Sequence, residues 1–241
     1  MKIFSGKVKA PRKCMLYGTH GIGKSTWASQ APGCVFLNLE DGLNNIDCKR
    51  SEHITSLDGV FEFLNWLIAA EHEFYPLAID SMDWLESMIH AAVAEKAGKA
   101  HIADIGYGAG YKQALGYWDR VMLLLEMLRS DRRMGIILLA HASVKRYENP
   151  DQDSYDRYQP ALHDSASAMW QEWADEVLFA SYRVFIRKED LGFDNERSIA
   201  VDGNERFVRT QESPAVLAKN RLNMPAEIEF SWAAYQSHFP A

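Results

Sequence analysis

Several features that would assign a chain quickly to a large class are scarce here. The 241 residues include only three cysteines, Cys14, Cys34 and Cys48. The count is odd and no Cys-x-x-Cys occurs, which argues against a disulfide framework and against a zinc ribbon. Cys14 and Cys34 read as core thiols in a reducing cytosol. Long hydrophobic runs are absent. The longest, "VMLLLEML" and "MGIILLA", fall far short of a bilayer's thickness, and no secretory signal is visible. A cytoplasmic protein without a membrane partner is expected. Excess positive charge is missing too: the formal net charge is −7. That speaks against a wholly basic nucleic-acid coat and leaves room for a local basic groove. No repeat, low-complexity tract or Pro/Gly/Ser-rich linker divides the chain, so one domain over residues 1–241 is expected.

Apolar residues make up 47% of the chain and charged residues 24%, the balance of a globular protein with a sizeable core. Short apolar runs alternate with helical patterns. Strands are expected near Lys13–Tyr17, over Cys34–Glu40, over Tyr75–Asp80 and over Met134–His141. Helices are expected over Lys24–Gln30, around Val60–Ile68, across "SMDWLESMIHAAVAEKAG" and from about Gln113 to Ser130. In the third of these helices Trp84, Leu85, Met88, Ile89, Ala92 and Val93 share one face. The alternation implies an α/β fold with a mainly parallel central sheet flanked by helices. "VLFASYRVFIRK", "RSIAVD" and "RFVRT" extend that sheet by antiparallel C-terminal strands. Ser143 to Asp164 shows little periodicity and reads as irregular.

Gly18-Thr19-His20-Gly21-Ile22-Gly23-Lys24-Ser25 fits G-x-x-x-x-G-K-[ST]. Such a turn lets successive backbone N–H groups face inward as an anion nest, and the following helix adds its unpaired N-terminal N–H groups. Lys24 would reach the β- and γ-phosphates of ATP, Ser25 would place its hydroxyl on Mg²⁺, and Thr26 would contact the α-phosphate. An accidental match is expected in about 1% of chains of this length, and here the turn also follows an expected strand and opens an expected helix. A magnesium shell needs a carboxylate at the end of an apolar strand. Asp80 supplies one in Tyr75-Pro76-Leu77-Ala78-Ile79-Asp80, while Ser81 or Asp83 can cap the next helix. The attacking water needs a base or orienter. Glu40, in Phe36-Leu37-Asn38-Leu39-Glu40-Asp41-Gly42, is the candidate, with Asp41 as the alternative.

Together these residues resemble RecA-type P-loop ATPase cores, over about Lys13 to Pro225. "FLNLEDGLN" matches the segment carrying that family's catalytic glutamate, which assigns the role to Glu40. The resemblance places a γ-phosphate sensor at His141, where bacterial RecA has glutamine. It also aligns "LAKNRLNMP" with a basic segment that crosses a subunit interface, so Lys219 and Arg221 would act on the neighbour's nucleotide. The implied active form is a homo-oligomer, ring or filament.

The resemblance is closest to small phage-encoded, core-only RecA-like proteins linked to single-strand annealing. It implies an Mg²⁺-dependent ATPase that binds single-stranded DNA in phage recombination, annealing or repair inside the host cell, with a single-strand-binding protein as a further partner. The DNA loops would be Gly98–Lys112, with Lys99, Tyr107, Tyr111 and Lys112, and Ser143–Gln159. The second carries Lys145, Arg146, Tyr147, Tyr155, Arg157 and Tyr158, diluted by Glu148, Asp151, Asp153 and Asp156. Two other classes stay open: a hexameric helicase-like or loader motor, and a nucleotide-controlled interaction module without DNA binding.

Overall fold

The computed structural model describes residues 3, 5, 6, 10–148, 153–190 and 196–240, with the backbone alone for 184–190, 196–202 and 204. Asp151, one of the acidic residues of the second expected DNA loop, lies outside the described residues.

The elements run β1 (Lys13–Gly18), α1 (Lys24–Ser29), β2 (Val35–Asn38), β3 (Lys49–Arg50), α2 (Leu57–Ala69), β4 (Leu77–Asp80) and α3 (Met82–Lys96). Two short 3₁₀ turns, Ile102–Asp104 and Gly106–Gly108, lead to α4 (Ala109–Asp131), β5 (Ile136–Tyr147), β6 (Tyr155–Pro160) and α5 (Asp164–Trp173). The chain continues through β7 (Glu176–Asp190), β8 (Glu196–Arg209), β9 (Lys219–Asn220), β10 (Glu227–Glu229) and α6 (Trp232–Gln236). The main sheet has the order β10-β8-β7-β1-β5-β4-β2-β3. From β7 to β3 neighbouring strands are parallel, whereas β8 and β10 add on antiparallel, as do β6 on β5 and β9 on β7.

The parallel strands read as unbroken apolar runs because helices cover both faces. In β1 the pleat sends Met15 and Tyr17 toward a core shared with α2, α3, α4 and α5. Cys14 and Leu16 face the opposite core, made with α1 and α6 through Trp27, Ala28, Trp232 and Tyr235. Cys14 and Cys34 are buried free thiols, and burial pushes both up to about 12.

Four local expectations are corrected. The stretch after His141 is not irregular: β5 continues to Tyr147 and pairs with β6 in an antiparallel hairpin, from Ala142 opposite Pro160 to Tyr147 opposite Tyr155. Helix α4 begins at Ala109 rather than Gln113, absorbing Tyr111 and Lys112 from the glycine-rich segment. In α3 the buried stripe is rotated from the expected one. Trp84 is exposed, and Glu86 is buried because both its carboxylate oxygens accept from the backbone N–H of His163, at 3.0 and 2.9 Å. β2 is also shorter than expected, which leaves Glu40 beyond its end.

Candidate functional site

The candidate site lies where β1, β2, β4 and β5 end together. Gly18 is level with His141 across β1 and β5, and Asn38 is level with Asp80 across β2 and β4. β5 separates β1 from β4, so His141 emerges between the glycine turn and the Asp80 carboxylate.

The turn is built for close backbone approach. At Gly18 a Cβ would sit 2.5 Å from the Ala180 carbonyl oxygen, so no side chain fits. Gly23 caps α1 with φ 100°, a left-handed value that suits glycine. No side chain caps α1, which leaves its first N–H groups available to an anion. Thr19, His20, Gly21 and Thr26 are exposed around the turn, while Ile22 is buried beneath it and anchors it to the core.

Lys24 is buried, and its ammonium donates to the carbonyls of Gly18 at 3.2 Å and Thr19 at 3.1 Å. Burial lowers its pKa, opposed by the carboxylates of Asp80, Glu40 and Asp83. Asp80 is buried on the same side. Desolvation raises its pKa, and a hydrogen bond from the Ser25 hydroxyl pulls the other way. Asn38 Oδ1, in register with Asp80, is buried without a hydrogen-bond partner. The Ser25 hydroxyl, the desolvated Asp80 carboxylate and the orphaned Asn38 amide oxygen fit Mg²⁺, which takes one or two protein oxygens and keeps waters and phosphate oxygens for the rest. Ser25 and Asp80 would hold the ion, and Asn38 Oδ1 can accept from one of its waters.

Glu40 turns inward. The Ser81 hydroxyl donates to its Oε2 at 3.3 Å, and His141 Nε2 lies 3.7 Å from its Oε1. Asp41 turns outward with φ 55°, and its carboxylate accepts from the Asn44 amide at 3.3 Å. Of the two acids left open by the sequence, Glu40 is therefore the one facing the glycine turn. The His141 ring stacks on His20 with centroids 3.7 Å apart.

Two contributors were not found in the sequence. Asp83 was read only as a helix cap, yet it accepts from both the ring Nδ1 and the backbone N–H of His141, at 2.8 and 3.0 Å. Burial pushes its carboxyl up, and those bonds outweigh it and bring the pKa below the ordinary value. Arg206, from β8, donates to the Ile22 carbonyl at 3.1 Å and lies over the Phe230 ring at 5.2 Å. It brings a second cation to the turn from 184 positions away in the chain. Nothing local in "NERFVRT" signals that contact.

Lys219 and Arg221 do not join this cluster. Lys219 is level with Val177, and Val177 with Met15, three positions below Gly18 along the sheet, or roughly 10 Å at strand rise. The Lys219 ammonium donates to the carbonyls of Gln171, Glu172 and Ala174, closing the C-terminus of α5. Arg221 pairs with Asp175 at 3.0 Å while its side chain stays more than half exposed, at 56%.

No helix among the described residues is long and apolar enough to cross a membrane. The arrangement of glycine turn, buried lysine, hydroxyl and strand-end carboxylates can grip a triphosphate and a divalent cation. No curated protein matches the chain. The sequence model of a family described as an AAA domain matches residues 10–222, and the chain belongs to that family of P-loop ATPase domains.

Proposed function

We propose that the chain is an Mg²⁺-dependent ATPase of RecA-like layout that assembles with itself and acts on single-stranded DNA in recombination, annealing or repair. The observation that carries the hydrolytic part is the placement of Glu40. Asp80 is followed by Ser81 rather than by a second acid, and the carboxylate facing the turn comes instead from just beyond β2, where Ser81 donates to it and His141 lies beside it.

In this reading the amides of the glycine turn and Lys24 bind the β- and γ-phosphates. Ser25 and Asp80 would hold Mg²⁺, which would draw charge from the phosphate oxygens. Glu40 orients a water toward the γ-phosphorus and takes its proton as the bond to the β,γ-bridging oxygen breaks. His141 Nε2 lies 3.7 Å from the Glu40 carboxylate, where it would face the same water. The substrate is itself highly negative and meets three carboxylates, so Lys24, Arg206 and the metal ion all serve to offset repulsion.

Action in trans is supported by the distance of Lys219 and Arg221 from their own turn. Arg221 is the better placed of the two, since its side chain is largely exposed and Lys219 is committed to three carbonyls. DNA binding is supported by the β5–β6 hairpin, which rises directly from His141. Its neighbourhood exposes Tyr158 and Tyr182 at a cavity of about 590 Å³ that also reaches Thr19. Such rings can stack on bases without reading sequence. The three cations of the hairpin are paired within the protein: Lys145 with Asp164, Arg157 with Glu212 and Arg146 with Glu148. Among the described residues Lys99 and Lys112 carry no ion pair, so the phosphate contacts are assigned first to the Gly98–Lys112 segment.

The test is ATP turnover against protein concentration, with and without single-stranded DNA. Turnover that rises with concentration and again with DNA supports the reading. Turnover indifferent to DNA favours the nucleotide-controlled interaction module, and directional duplex unwinding favours the motor. Glu40→Gln is expected to keep nucleotide bound and slow hydrolysis by about 10²-fold or more; an unchanged rate would remove Glu40 from the reaction.

A further inference from the structure

We propose that Asp83 is a positioning residue for hydrolysis, acting through His141 by fixing which ring nitrogen carries the proton and where the ring points. This rests on the hydrolytic reading above and assigns to the same site a residue outside its phosphate-, metal- and water-binding set.

One Asp83 oxygen accepts from the His141 backbone N–H at 3.0 Å and the other meets ring Nδ1 at 2.8 Å. A carboxylate only accepts hydrogen bonds, so Nδ1 carries a proton. That leaves Nε2 with a free lone pair 3.7 Å from the Glu40 carboxylate, placed to accept from the water that Glu40 orients. The backbone bond holds the carboxyl group in place, so the ring cannot turn without losing its own bond to Asp83. His20 stacks on the ring at 3.7 Å between centroids and closes its exposed face.

The root of the hairpin is fixed from the same helix. Glu86, three residues after Asp83 on α3 and so on the same side of it, accepts from the His163 backbone N–H with both oxygens. Ala161 N–H donates to the His141 carbonyl at 2.8 Å and ties the two hairpin strands together at their base. Helix α3, which begins directly after the Asp80 strand, thus grips both ends of the β5–β6 hairpin with two acids. The geometry of an Asp–His pair whose far nitrogen faces the reaction is a known way to hold an imidazole in one tautomer.

The test is a double-mutant cycle on the full-length protein at pH 8, with a direct view of the ring. Asp83→Asn replaces one acceptor by an amide N–H and favours the other tautomer. The expected kcat falls about 10- to 100-fold, while KM for ATP and fluorescent-nucleotide affinity stay within about twofold, because the glycine turn is untouched. In a His141→Gln background the same change is expected to lower kcat less than about threefold, since the group it positions is gone. In ¹⁵N-histidine spectra, His141, assigned by its loss in His141→Gln, is expected to be protonated at Nδ1 in the unsubstituted protein and at Nε2 alone in Asp83→Asn. Equal losses in both backgrounds, or a His141 ring whose Nδ1 carries no proton in the unsubstituted protein, would overturn the proposal. Absence of any turnover in the unsubstituted protein would instead sink the hydrolytic reading, and the spectra would still decide whether Asp83 sets the ring.

Discussion

The two halves of β5 make an instructive pair. Ile136–His141 lies between β1 and β4, parallel to both, and every residue of it is buried. Ala142–Tyr147 belongs to the same strand, pairs in this stretch with β6, antiparallel, and is half-exposed, with Val144 at 58%. The first half is held by two neighbours and two covering layers. The second is held by one neighbour and by side-chain pairs on its surface. His141 sits at the junction, where the ladder is rigid on one side and open on the other. A group placed there is backed by the core and continuous with the more exposed hairpin.

Substitutions should separate these halves, and the largest effect belongs to the site rather than to either one. Lys24→Ala is expected to lower ATP turnover by about 10²-fold or more through loss of the only lysine inside the glycine turn, with little change in thermal unfolding of the apo protein. Unchanged turnover would reject the phosphate assignment for both halves alike. Next come the halves themselves. Leu138→Ala, in the fully buried stretch, should cost about 3 kcal/mol in urea-induced unfolding, whereas Val144→Ala should stay within about 0.5 kcal/mol. Comparable losses would mean that the hairpin carries core-like packing.

A smaller effect concerns the clamp beneath the junction. Burial pushes the Glu86 carboxyl up to about 7, against the hydrogen bonds from His163 that favour its charged form. The folded state therefore keeps a proton that the unfolded chain releases near pH 4.5. Stability is lost as pH rises from about 4.5 to 7 and is flat above that window. Glu86→Gln cannot ionise, so its stability relative to the unsubstituted protein should improve by about 2 kcal/mol between pH 5 and pH 8. A difference independent of pH would show that Glu86 is charged throughout. Least of all, Lys145→Met on the hairpin removes an ion pair to the exposed Asp164 and a bond to the Leu162 carbonyl. About 1 kcal/mol or less is expected, with basal ATP turnover unaffected; a large loss of turnover would place Lys145 in the site.

How far the sequence could be read depended on how local each signal was. The glycine turn, Lys24, Ser25 and Asp80 were legible because the loop and the strand end each state their chemistry within a few residues. Glu40 was legible as one of two acids. Only the left-handed turn at Asp41, whose carboxylate turns away to Asn44, separated the pair. The hairpin was missed because polarity does not follow its alternation: Lys145 and Tyr147 take half-buried positions, and Val144 and Arg146 take exposed ones. In α3 a face drawn by hydrophobicity put Trp84 inside and could not anticipate that Glu86 would be buried against the backbone of a residue 77 positions away.

The sequence by itself determined the glycine turn, the alternation of strands and helices and the acids at or just beyond the ends of two of the strands, since backbone freedom at glycine and hydrophobic periodicity are properties of short segments. Only the tertiary structure decided which of those acids face the turn, that Asp83 holds His141 and Glu86 the far root of the hairpin, and that Arg206 completes the turn from the antiparallel extension. Those contacts depend on strand order and register, and charged or polar side chains find their partners across distances along the chain that no local pattern encodes.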